Sequence, residues 1–103
     1  MAGNLWLFGG TGYDSTGTRG ALNDTWEYSI SGAQWIWMGG SQTGGTTGTY
    51  GTEGTAAAGN APGARSTAVA WMDGSGDFWL FGGQGFGAAT TAGGLNDLWE
   101  FVP

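Results

Sequence analysis

Two segments of this chain recur in nearly the same form, and nothing else constrains its fold as much. The stretch GNLWLFGG at Gly3–Gly10 returns as GDFWLFGG at Gly76–Gly83, and LNDTWEY at Leu22–Tyr28 returns as LNDLWEF at Leu95–Phe101. Position 3 answers to 76 and position 22 to 95, so both blocks are displaced by the same 73 residues with no gap between them. A fixed period of this kind marks a chain built from copies of one supersecondary unit. A requirement of the fold must recur in every copy, whereas a site used once need not. Trp6, Gly9, Gly10, Asn23, Asp24 and Trp26, with their counterparts Trp79, Gly82, Gly83, Asn96, Asp97 and Trp99, are therefore expected to be structural.

Each block reads as strand. Leu5–Phe8 is a short apolar run stopped by Gly9-Gly10, the pattern of a strand buried on both faces. In Asp24–Tyr28 the aromatics alternate with smaller or polar residues at period two. Gln34–Met38 (QWIWM) follows a tight Ser31-Gly32 turn, and Ser66–Met72 (STAVAWM) leads through Asp73–Asp77 (DGSGD) back into the FWLFGG strand as a hairpin. No window carries a useful 3.6-residue apolar period, so no helix longer than a turn is expected. The glycines, 24 in all, are expected to supply positive φ or close backbone approach, above all at the two Gly-Gly pairs. Asn23-Asp24 and Asn96-Asp97 are expected to hydrogen-bond their own turns, and Glu27 and Glu100 to pair with Arg65 of a neighbouring unit.

Labelled by position in the unit, the strands are A (66–72), B (78–82), C (96–102) and D (34–38), and the chain runs B-C-D, long loop, A-B-C. The run WLFGG, a glycine-rich loop, LNDxWEY and a WxW strand resembles the Kelch repeat of galactose-oxidase-like β-propellers, although a 73-residue period exceeds that family's usual ~50. The resemblance implies an all-β fold of antiparallel Kelch-type propeller blades. Residues 1–38 would be a first blade lacking strand A, 39–65 a long D-A loop, and 66–103 a second blade lacking strand D. Such blades leave open strand edges and uncovered tryptophan faces. The partial propeller is therefore expected to be completed by homo-oligomerisation into a ring of six to eight blades.

Composition excludes more functions than it supports. Histidine and cysteine are absent, which removes the commonest metal ligand, the usual acid/base side chain near neutrality and any thiolate nucleophile. Galactose oxidase itself needs histidine and cysteine at its copper, and propeller sialidases need a cluster of arginines. This chain has two cations, Arg19 and Arg65, against eight acids. A net charge of −6 argues against nucleic acid and anionic membrane surfaces as partners, and no apolar run approaches the length of about 18 residues needed to span a membrane. No enzyme activity, no cofactor and no metal are expected. Asp73–Asp77 resembles a calcium loop only superficially, because an EF-hand needs a longer series of oxygen ligands.

Function is expected where the copies differ. Tyr13, Asp14 and Arg19 become Phe86, Gly87 and Ala92, so none of them is needed to build the unit. The B-C loops (10–21 and 83–94) and the D-A loop lie at one end of an antiparallel blade, and long loops on a rigid scaffold are where binding concentrates. Tyr13, Asp14, Arg19, Tyr50, Glu53 and Phe86 are the side chains there able to grip a glycan or a peptide. The simpler alternative is that Tyr50 and Phe86 pin their own loops and the charges are merely solvated. The leading expectation is a non-catalytic module for binding or self-assembly. A carbohydrate-binding, lectin-like fragment of an extracellular surface protein is the alternative.

Overall fold

A computed structural model of the chain describes residues 3–103. The described residues form antiparallel strands and irregular segments with no helix, so the chain belongs to the all-β class. The first sheet has the order β1-β2-β3, with β1 at Leu5–Tyr13, β2 at Arg19–Ser29 and β3 at Gln34–Gly39. The second is centred on β6 (Phe78–Gly85). It is flanked on one side by β4 (Arg65–Ser66) and β5 (Val69–Met72), and on the other by β7 (Gly93–Phe101).

The expected fourth strand at 66–72 is broken in two. Thr67 has φ 60°, which takes it out of the extended region, so β4 and β5 pair with β6 separately. The expected B-C loops are largely strand. β1 and β2 stay paired out to Tyr13↔Arg19, and β6 and β7 out to Gly85↔Gly93, leaving 14–18 and 86–92 as connections. Continued pairing satisfies backbone groups that a loop would leave to water, and the small residues at Gly12, Gly20, Ala21, Gly85 and Gly93 do not interrupt it. The Gly-Gly pairs sit inside the strands as bulges, because the register slips between Phe8 and Gly10 and again between Phe81 and Gly83. Both copies repeat the left-handed backbone, with φ 58° and 103° at Gly9 and Gly10 and 66° and 101° at Gly82 and Gly83.

Residues directly opposite across a strand pair share a face. Trp6, Phe8, Thr25 and Glu27 therefore lie on one face of the first sheet, and Leu5, Leu7, Trp26 and Tyr28 on the other. In the second sheet Phe78, Leu80, Trp99 and Phe101 share one face, and Val69, Trp71, Trp79, Phe81, Leu98 and Glu100 the other. The core lies where the Trp6 face of the first sheet meets the Phe78 face of the second. There the Trp6 ring stacks on Phe78 (5.8 Å) and tilts against Phe101 (5.7 Å). Phe78 and Leu80 are buried to 6 % and 4 % exposure, while their repeat counterparts Leu5 and Leu7 remain 59 % and 50 % exposed. The expectation that the Leu5–Phe8 strand is covered on both faces is thus wrong for its outer face, because no second layer lies against it among the described residues.

Candidate functional site

The segment 40–64 ties the connection ends of both sheets together. On the first sheet, Ser41 N–H donates to Asn23 Oδ1 (2.8 Å) and Asn23 Nδ2 to the Pro62 carbonyl (3.0 Å). Gly45 N–H donates to the Ala21 carbonyl and Ser15 N–H to the Gln42 carbonyl. On the second sheet, Gly48 N–H donates to the Gly87 carbonyl and Phe86 N–H to that of Ala64. Asn23 therefore braces the long segment rather than its own turn. Asp24 and Asp97 likewise do not cap turns: each accepts the indole N–H of the tryptophan two residues on, Trp26 and Trp99, at 2.9 Å.

Arg65 anchors this end of the molecule, and its partner differs from the one expected. The guanidinium is fully buried and forms a bidentate pair with Asp97, with Nη2 at 2.9 Å from Oδ2. It also donates from Nε to the Gly63 carbonyl (3.0 Å) and from Nη1 to the Gly82 carbonyl (3.1 Å). Neither Glu27 nor Glu100 pairs with it. From β7, Asp97 presents its two oxygens to the planar fork of Arg65, which is the geometry that favours arginine. Asp97 further accepts from the Tyr50 hydroxyl (2.6 Å), and the Tyr50 ring lies 5.0 Å from that of Trp99. Burial pushes the Asp97 carboxyl up, but the donors Arg65, Tyr50 and Trp99 outweigh it and hold it well below the ordinary carboxylate range. Burial, followed by the bond to Asp97, raises the Tyr50 hydroxyl. Tyr50 thus ties the long segment to β7 through Asp97 and Trp99.

The remaining expected binding residues divide. Asp14, Arg19 and Phe86 come together around a cleft of about 370 Å³, with Thr18, Gly20, Ala21, Gly44 and Gly45 completing its wall. Tyr13 and Glu53 are exposed and lie outside it. Asp14 is not an unconstrained surface acid. Its carboxylate accepts from the Thr16 hydroxyl (2.6 Å), the Gly44 N–H (2.9 Å) and the Thr16 and Thr18 N–H groups, and these bonds depress its pKa far below normal. What the cleft offers a ligand is thus the exposed guanidinium of Arg19, the Phe86 ring and backbone.

A second acid site was not legible from spacing alone. Carboxylate oxygens of Asp73, Asp77 and Glu100 lie within 4.8 Å of one another. Asp73 closes the β5–β6 hairpin, accepting from Ser75 N–H and Asp77 N–H, and also takes the Trp79 indole N–H at 2.8 Å. In the first copy the equivalent of Asp77 is Asn4, whose amide donates to Glu27 at 2.7 Å. With aspartate in that place a second carboxylate faces Glu100 instead, and the hydrogen bond to Asp77, desolvation and the charges of Asp77 and Asp73 raise its pKa. Comparing Asn4 with Asp77 beside the shared glutamate was the available signal. A raised carboxyl pKa favours the fold while the proton is held and withdraws that support as pH rises through it. Asp77→Asn is therefore expected to raise the thermal midpoint slightly at pH 7 and to lose its advantage below about pH 4, as differential scanning fluorimetry across pH would show.

No protein-family model, curated protein or solved structure matches the chain.

Proposed function

We propose that this protein is a non-catalytic, Kelch-like propeller module whose role is self-association and presentation of its loop-bearing end. One observation carries the reading: both outer sheet faces keep large apolar side chains in the open. Leu5, Leu7, Trp35 and Trp37 line one such face, and Val69, Trp71, Phe81 and Leu98 the other, each at least 43 % exposed. Patches of that kind on a small chain mark interaction surfaces. Asp14, Asp24, Asp73 and Asp97 are engaged in turn closure, indole capping and the Arg65 pair, and the chain's lack of histidine and cysteine further supports a non-catalytic reading. The test is native mass in solution. The expected result is a monodisperse multiple of 10.5 kDa, and a folded monomer at tens of micromolar would refute it.

Ligand binding at the loop end is favoured by the cleft that joins Arg19 to Phe86. A cation beside an aromatic ring suits an acidic sugar or an acidic peptide. Screening glycan and peptide arrays with the wild type and with Arg19→Ala checks this: binding lost in the variant supports the cleft, and binding unaffected by it excludes the cleft as the site.

A further inference from the structure

The interface between the two sheets is a template for the interface between chains. Because the sheets are copies, each has a face of the Trp6 kind and a face of the Phe78 kind, and only one of each is used inside the molecule. Phe8, on the Trp6 face, is partly covered, whereas its counterpart Phe81 is 43 % exposed. The Phe78 face shows the reverse, with Phe78 and Leu80 buried and Leu5 and Leu7 open. The glycines record the same vacancy at backbone level. A Cβ on Gly9 would meet the Leu22 carbonyl at 2.6 Å and the Arg65 carbonyl of the second sheet at 2.8 Å. A Cβ on Gly82 would meet its own Leu95 carbonyl at 3.0 Å and nothing from a further sheet.

We infer that a second copy of this chain docks head to tail, its Leu5–Leu7 face covering the Phe81–Leu98 face as the second sheet covers the first. This rests on the proposal that the chain self-associates and adds which surfaces mate. Trp79 would then lie against Leu5 and Tyr28 of the next copy, as Trp6 lies against Phe78 and Phe101. Such an interface is heterologous: each chain offers two different faces, and repetition closes a ring or extends a filament.

The experiment uses one charged variant on each face, Leu7→Glu and Leu98→Glu, at positions already 50 % and 56 % exposed. Near-ultraviolet circular dichroism confirms that the tryptophans stay packed, and Leu5→Lys with Val69→Lys provides an independent pair if either variant unfolds. Each variant alone is expected to be a monomer by sedimentation velocity. Mixed in equal amounts they are expected to form a species of twice the chain mass and nothing larger, because the mixture retains one good face on each partner. Wild-type association with Leu98→Glu still assembling would mean pairing of like faces, and a mixture that stays monomeric would mean the wrong surfaces; either overturns the inference alone. A monomeric wild type overturns it together with the proposed self-association.

Discussion

Arg65→Met is expected to cost about 3–5 kcal/mol, the usual penalty for removing one partner of a buried ion pair. The substitution strands Asp97 beneath Tyr50 and Trp99 and leaves the Gly63 and Gly82 carbonyls without their guanidinium donors. Total stabilities of small domains are about 5–15 kcal/mol, so this one cation carries a substantial share of the fold's margin. Arg65→Lys is not expected to rescue it, because an ammonium cannot make the bidentate pair and reach both carbonyls. Urea denaturation followed by tryptophan fluorescence measures the loss. The pH dependence supplies an independent check. Asp97 has a depressed folded pKa, so its contribution is complete above the unfolded aspartate value near 3.9 and is lost as pH falls toward the folded one. Wild type should therefore lose stability below about pH 4, and Arg65→Met should lose less over the same range, keeping only the acid sensitivity of the other hydrogen-bonded carboxylates such as Asp14. Equal acid sensitivity in the two proteins would show that the pair does not govern that transition.

Trp6→Ala is the second large effect. The half-buried ring fills the contact between the sheets, against Phe78 and Phe101, and its truncation is expected to cost up to about 3 kcal/mol, the lower end of the range for a fully buried tryptophan. The informative control is Trp79→Ala at the repeat-equivalent position. Trp79 stacks on Trp71 at 6.3 Å and donates to Asp73, but the face it occupies is open in the single chain. Under monomeric conditions its loss should be no more than half that of Trp6→Ala in chemical denaturation. Equal losses would mean that the contact between the sheets adds little to what each sheet supplies alone.

The glycine repeats extend the same comparison. Gly9→Ala and Gly82→Ala impose similar positive-φ strain, yet only Gly9 also approaches a carbonyl of the other sheet. Gly9→Ala should accordingly be the more destabilising of the two in the monomer, a difference that parallel denaturation curves resolve.

Much of the architecture was legible in the chain itself. Matching blocks at one displacement located the strand segments, the DGSGD hairpin and the lack of helix, because alternation and turn residues are local properties of the sequence. The Gly-Gly pairs, read as strand stops, are instead bulges within longer strands, and the 66–72 strand is broken at Thr67. Partners set by distance in space were not legible. Whether Arg65 meets a glutamate or Asp97 and whether Asn23 holds its own turn or the Pro62 carbonyl depend on how β4 and the 40–64 segment cross the sheets, and the nearness of Asp77 to Glu100 depends on the β6–β7 register. Of the residues singled out at the loop end, Asp14, Arg19 and Phe86 lie around one cleft, whereas Tyr50 is tied to Asp97 by a hydrogen bond that spacing in the sequence could not show. The sequence by itself determined that two like units exist, since identical side-chain patterns impose identical local backbones. Only the tertiary structure decided which face of each is covered, because burial belongs to pairs of surfaces and one copy's inner face is the other's outer one.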